Sequence, residues 1–278
     1  MMRNALTVDV EDYFQVQAFA GRINESEWDN HPPRVEHNTQ NVLDLFADAG
    51  VHATFFVLGW VAERYPTLIT RMIAEGHEVA SHGMRHRRVG NQSPEEFLAD
   101  AGDARKLLED CAAAPVTGYR AASFSIDGTT PWAHDVLGEA GYSYSSSVYP
   151  IRHDLYGMPG ASRFPYQAGS DVGVTEIPVT TVQVLGQTLP CGGGGYFRLL
   201  PYAWSRWAWR RVNQSDSRPA MFYFHPWEID PDQPRQHGMP LKSQARHYAR
   251  LGAMEGKIRR ALRDFSWDRM DRVFLDSV

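Results

Sequence analysis

Apolar and polar positions along the chain switch repeatedly between a two-residue period and a helical one. Leu6 to Val10 alternates apolar and polar residues, as a short strand does. After a polar stretch with His31, Pro32 and Pro33, residues Val42, Leu45, Phe46 and Ala49 recur at helical spacing. Ala53-Thr-Phe-Phe-Val57 is β-branched and aromatic, the composition of a buried strand. Val61, Tyr65, Leu68, Ile69, Met72 and Ile73 predict an amphipathic helix, and Glu78-Val-Ala80 predicts a short strand. Ser93-Pro94-Glu95-Glu96 is a capping box with proline at the first helical position. It opens a helix carrying Phe97, Ala101, Ala104, Leu108 and Cys111 on one side.

Val116 to Arg120 predicts another strand, and Thr130-Pro131 starts a helix bearing Ala133, Val136, Leu137 and Ala140. From Tyr142 to Gly194 the chain is β-rich and irregular, with strands expected around Thr175 to Thr181 and Val182 to Leu185. A helix follows around Trp204, Trp207 and Trp209, then a buried strand, Met221-Phe-Tyr-Phe224. The last helix carries Tyr248, Leu251, Ile258 and Leu262. No internal repeat is visible. The βαβα succession predicts an α/β fold with a largely parallel sheet and helices outside it. Residues 1–278 read as one catalytic domain, with a C-terminal portion from about residue 190 packed into it.

Composition narrows the function classes. A chain of 278 residues that is 43% hydrophobic and 22% charged can bury a core without staples. Its 28 basic and 33 acidic residues leave a net charge of −5, which argues against sequence-independent nucleic-acid binding. No apolar run approaches a membrane span, and Thr7 and Asp9 interrupt the N-terminal run far short of a signal peptide. The expected location is cytoplasmic. Cys111 and Cys191 show no paired spacing, and Cys111 falls on a helix's apolar stripe, as a buried free thiol does.

The candidate chemistry sits at strand ends. Ser81-His82-Gly-Met-Arg-His86 carries histidines at i and i+4, which share one face if the segment is helical and then suit one metal ion. The pair follows a strand. Asp9, Glu11 and Asp12 also follow a strand, Arg120 closes the strand from Val116, and His225 closes the strand from Met221. Parallel α/β sheets and barrels build their sites at the carboxyl ends of strands. His77 and His52 read as packed or solvated. Gly192 to Gly195 lacks the Lys-Ser/Thr of a phosphate loop and reads as a flexible or close-packed turn. Trp204, Trp207 and Trp209 read as helix core.

At these strand ends the sequence resembles the polysaccharide deacetylases of carbohydrate esterase family four. The resemblance is carried by Thr7-Val-Asp9-Val-Glu11-Asp12, Ser81-His82-Gly-Met-Arg-His86, Arg120-Ala-Ala-Ser-Phe124 and Phe222-Tyr-Phe-His225, in the family's order across most of the chain. Gly194-Gly-Tyr-Phe-Arg198 and Phe224-His-Pro-Trp-Glu-Ile-Asp230 further resemble a bacterial branch associated with exosortase and exopolysaccharide gene clusters. There are departures. The family's adjacent aspartates are replaced by Asp9, Val10, Glu11 and Asp12, so either Glu11 or Asp12 is the metal carboxylate. Strand alternation puts Asp9 and Glu11 on one face. Ala122 and Phe124 stand where the family has proline and tyrosine.

The resemblance implies a distorted, seven-stranded (β/α) barrel and an enzyme, a polysaccharide N-deacetylase, that hydrolyses N-acetyl groups on hexosamines of a bacterial polysaccharide or oligosaccharide. It implies a divalent ion, zinc ahead of cobalt, nickel or iron, held by His82, His86 and Glu11 or Asp12. Asp9 is then the general base, Arg120 orients it, the Phe124 backbone N–H steadies the oxyanion and His225 protonates the leaving amine. Trp227 and Trp132 are the expected groove aromatics. Two other readings stand beside it: a small-molecule amidohydrolase that opens cyclic ureides, and a non-catalytic glycan-binding subunit. The histidine pair argues against metal-free forms of the first, and the joint presence of Asp9 and His225 argues against the second.

Overall fold

A computed structural model describes residues 2–153, 156–170, 173–236, 238 and 240–275. Its strands are β1 (Arg3–Val10), β2 (Thr54–Val57), β3 (Glu78–Ser81), β4 (Gly118–Tyr119), β5 (Tyr144–Ser145), β6 (Tyr166–Ala168), β7 (Val174–Glu176), β8 (Thr181–Val184), β9 (Gln187–Pro190), β10 (Met221–Phe224) and β11 (Ser266–Asp268). In the main sheet, β10, β1, β2, β3, β4, β5 and β7 lie side by side and all are parallel. β6 runs antiparallel at the β7 edge, β11 continues beside the start of β1, and β8 and β9 form a separate hairpin.

The sheet curls into the expected distorted barrel of seven parallel strands with helices outside it. Across the gap between β7 and β10, the bond is to a side chain: Met221 N–H donates to Thr180 Oγ1 at 2.6 Å, just beyond β7. β1 shows why the curl forms. Every residue from Asn4 to Val10 is buried, as in a strand covered on both faces. Leu6, Val8 and Val10 join the apolar layer under the helices, with Val42, Phe46 and Phe55. Ala5 belongs to a second cluster with Phe56, Ala80, Tyr144 and Tyr223, which fills the inside of the curl. Thr7 and Asp9 share the inward parity of Ala5. The segment after residue 190 is woven in, because its strand β10 flanks β1 with Ala5 opposite Met221 and Val8 opposite Phe224.

Several boundaries differ from the periodicity, each for a local reason. The helix expected from Val61 to Ile73 is two, Gly59–Arg64 and Pro66–Ala74, broken at Tyr65 (φ −131°, ψ 56°). Pro66 disfavours helical geometry in the residue before it. The last helix is also two, Leu241–Tyr248 and Met254–Asp264, with Arg250 left-handed between them. The capping box is present, with Ser93 accepting from Glu96 N–H and Glu96 reaching back to Ser93 N–H. Among the described residues, no helix is long and apolar enough to cross a membrane.

Candidate active site

At the carboxyl end of β1 the chain turns sharply, with Glu11 N–H donating to Asp9 O at 3.1 Å. The Asp9 and Glu11 side chains both line one cleft. Asp12 goes elsewhere. Its carboxylate accepts from the N–H groups of Tyr13 (2.8 Å), Arg34 (2.7 Å) and Val35 (2.9 Å), at the start of helix Val35–Ala49. Burial lifts its pKa to about 6 against the pull of those three N–H donors. Of the two candidate ligands, the fold therefore brings Glu11 to the histidines and commits Asp12 to a helix start.

The histidine pair is assembled without a helix, which corrects the geometry assumed from its spacing. β3 ends at Ser81, and the loop after it takes left-handed conformations at Gly83 (φ 78°) and His86 (φ 52°). Gly59 N–H to Gly83 O and Trp60 N–H to Met84 O, each 2.9 Å, tie this loop to the helix that follows β2. The imidazole rings of His82 and His86 end 5.3 Å apart. His82 Nδ1 donates to Arg120 O at 2.8 Å, which leaves Nε2 with its lone pair for a ligand.

One ligand atom from each of Glu11, His82 and His86 lies within 4.8 Å of the others. Glu11 Oε2 is 2.7 Å from His86 Nε2, yet this buried oxygen has no partner with hydrogen-bond geometry. Burial lowers the His82 pKa to about 4, so its ring is neutral, as a ligand must be. Burial would raise the Glu11 pKa, but His86, His225 and His82 together hold it well below the usual carboxylate range. An orphaned buried carboxylate oxygen beside two imidazoles fits a divalent cation with mixed oxygen and nitrogen ligands.

Arg120 is fully buried inside the curl, its guanidinium 3.9 Å from the centre of the Phe56 ring. It donates to Asp9 Oδ1 at 2.5 Å, Thr7 Oγ1 at 2.9 Å, Ser146 O at 3.1 Å and Ser146 Oγ at 3.0 Å. His225, just past β10, places Nε2 3.6 Å from Glu11 Oε1 and 4.0 Å from Asp9 Oδ2. Its Nδ1 lies 3.0 Å from Glu228 Oε1. Burial would lower the His225 pKa, but the Glu11, Glu228 and Asp9 carboxylates raise it to about 9. The ring is held protonated near neutral pH.

Three expected roles are corrected. The Phe124 N–H donates to Ala121 O at 3.0 Å, inside a turn where Ser123 and Phe124 are both left-handed, so it is not offered to an oxyanion. The Phe124 ring instead packs 4.7 Å from Tyr223 on the cleft wall. Trp227 is only 6% exposed, stacked against His225 (5.1 Å) and His247 (4.3 Å), with Nε1 donating to Glu11 Oε1 at 3.2 Å. It braces Glu11 rather than presenting a face to a sugar. Trp132 packs on Phe97 at 5.8 Å and is not among the cleft-lining residues. The cleft encloses about 340 Å³, and Val16, Gln17, Ala18, Tyr156, Tyr196 and Arg246 also line it. Sequence reasoning missed Glu228 and Arg198. The only available signal for Glu228 was a carboxylate three residues after His225, in the run Phe224 to Asp230.

A two-histidine, one-carboxylate cluster at the carboxyl end of a curled parallel sheet is a candidate site for a metal ion. Residues 26–145 match the family described as Polysaccharide deacetylase, and residues 146–275 match a domain of unknown function, DUF3473. Residues 26–145, less than half of the chain, are thus similar to polysaccharide deacetylases. It is 32% identical over 126 residues to a chitooligosaccharide deacetylase of a Bradyrhizobium species, covering 45% of this chain and 55% of that one. It is 38% identical over 71 residues to a Bacillus cereus peptidoglycan-N-acetylglucosamine deacetylase, covering 26% of this chain and 33% of that one. The chain therefore spans about half or less of the curated relatives it matches. A Mycobacterium smegmatis protein assigned as a polysaccharide deacetylase has the same fold, with a TM-score of 0.61 at 19% identity over 97% of this chain and 87% of that one.

Proposed function

We propose that this chain hydrolyses N-acetyl groups on hexosamine residues of a bacterial glycan, releasing acetate and a free amine. One observation carries the reading: the Glu11, His82 and His86 cluster is flanked, in a single cleft, by Asp9 and His225. Glu11, His82 and His86 would hold a divalent ion, zinc by the donor set, which would supply polarisation of an amide carbonyl and easier ionisation of water. Asp9 has Oδ1 occupied by Arg120, which leaves Oδ2, on the His225 side, to take the proton from the attacking water. His225 is held protonated by its carboxylate neighbours, so it gives a proton to the amine nitrogen as the carbon–nitrogen bond breaks.

The two matched segments act as one catalytic unit in this reading, since the histidine pair comes from the first and His225 from the second. Resemblance of Gly194 to Arg198 and Phe224 to Asp230 to the exopolysaccharide-associated branch favours an exopolysaccharide as the glycan. The test is acetate release from a panel of N-acetylated oligosaccharides, with chelator and after zinc is restored, beside a cyclic ureide. Acetate release that chelation abolishes and zinc restores is the expected result. Ring opening of the ureide without acetate release would replace this reading with the small-molecule amidohydrolase.

A further inference from the structure

Four consecutive glycines, Gly192 to Gly195, play no part in the chemistry above. A Cβ on Gly194 would lie 2.2 Å from Glu228 Oε1 and 2.9 Å from the Glu228 carboxyl carbon. On Gly193 it would meet Tyr223 Oη at 2.8 Å. The missing side chains let the backbone lie against the end of β10 and leave room there for one carboxylate.

Glu228 fills that room, 1% exposed. Its Oε1 accepts from the backbone N–H of His225 at 3.2 Å and faces His225 Nδ1 at 3.0 Å. Its Oε2 accepts from Arg198 Nε at 3.1 Å. Arg198 is 2% exposed and lies in the short helix that the glycine run opens, Gly194–Leu199. Its other donors go to main-chain carbonyls: His247 O at 2.9 Å, Arg246 O at 3.0 Å and Ala249 O. A planar guanidinium fixed at three carbonyls has little freedom left, so its Nε offers a rigid seat to Glu228.

We propose that Arg198 and Gly194 are positioning residues for the proton donor, holding Glu228 where it fixes the His225 ring with Nε2 toward the cleft. The proposal rests on reading His225 as that donor. It gives the glycine run and Arg198 a function beyond packing: they set the aim of the ring at the end of β10. A lysine at 198 keeps the charge but loses the fork, and an alanine at 194 pushes on the Glu228 carboxylate and on Phe224 Cβ.

The experiment uses Arg198→Lys, Gly194→Ala and Glu228→Gln in the whole chain. Glu228→Gln keeps the side-chain volume and guards against a variant that fails to fold. Bound metal is measured in each, and kcat and KM are separated. The hydrogen-bonded imidazole N–H resonance of His225, assigned by its loss in His225→Ala, is recorded by NMR without substrate. We expect folded, metal-retaining variants in which kcat falls by about 10- to 100-fold, the scale of a small misplacement, while KM moves far less. The His225 resonance should shift or vanish in all three. A folded variant with the resonance unmoved and kcat within about twofold of wild type overturns the proposal. So does a rate loss that disappears on correction for folded fraction. If the wild type releases no acetate from any glycan, the hydrolase reading fails, and the resonance still decides the positioning claim.

Discussion

Arg120 and Asp9 lie 111 positions apart in sequence and meet at 2.5 Å inside the curled sheet, both essentially excluded from water. Arg120 has two roles in one side chain. Its guanidinium holds Asp9, Thr7 and Ser146, while its backbone carbonyl accepts from His82 Nδ1 and so sets the ligand nitrogen of that ring. The proposed base, Asp9, and the proposed metal ligand, His82, are thereby referenced to a single residue just past β4.

Breaking this pair from one side should be costly. Arg120→Met leaves the Asp9 carboxylate buried without its cation, and such a loss costs about 3–5 kcal/mol. The double variant Asp9→Asn with Arg120→Met removes both charges and should recover part of that loss. Urea unfolding of the three proteins measures it, and a double variant no more stable than Arg120→Met alone would count against the pair as the cause.

Glu11 and Asp12 should separate cleanly. Glu11→Gln, His82→Ala and His86→Ala each remove a ligand and should lower the bound divalent ion, measured by elemental analysis after reconstitution. Asp12→Asn should keep the ion. Its cost should fall on stability, about 1 kcal/mol or more, because the carboxylate serves three backbone N–H groups at a helix start. Full metal occupancy in Glu11→Gln would remove this residue from the site.

A pH effect on stability follows from His77. Burial holds its pKa down at about 4, with Nδ1 accepting from Ala53 N–H at 3.1 Å. The unfolded chain binds this proton near pH 6.5 and the folded chain does not, so unfolding takes up a proton between those values. The stabilisation is complete above about pH 6.5 and is lost as pH falls toward 4. His77→Asn keeps an acceptor for Ala53 and removes the titration. Its unfolding free energy should fall less steeply than that of the wild type across this window, and identical slopes would assign the acid sensitivity elsewhere.

The convergence of the candidate residues was legible because a parallel α/β sheet gathers the carboxyl ends of its strands, so bringing Asp9, Arg120, His82 and His225 together needed no knowledge of loops. Two-residue alternation also placed Asp9 and Glu11 together. What failed depended on conformations that no period encodes. Gly83 and His86 turn left-handed where a helical face was assumed, and paired left-handed residues at Ser123 and Phe124 consume the Phe124 N–H within its own turn. Trp227 looked like a sugar platform because a tryptophan two residues from His225 gives no sign of a second histidine, His247, stacking on it from twenty residues away. The role of Arg198 was not legible, because all its hydrogen-bond partners but the Glu228 carboxylate are main-chain carbonyls, which carry no residue identity.

The last prediction concerns the acid and the base. Asp9→Asn and His225→Ala should each keep the fold and the divalent ion while lowering turnover by about 10²–10⁴-fold, the usual range for a general acid or base. In the ion-free chain His225 titrates at about 9, because Glu11, Glu228 and Asp9 outweigh its burial. A dication on Glu11 offsets part of that negative field, so the alkaline limb of the loaded enzyme should lie below 9. His225→Ala should remove that limb. If His225 only capped the turn after β10, where its backbone N–H already meets Glu228, its loss would lower the melting temperature and leave turnover per folded molecule unchanged. Turnover and melting temperature measured on one His225→Ala preparation separate the two, and a stable protein that has lost its rate is the expected result.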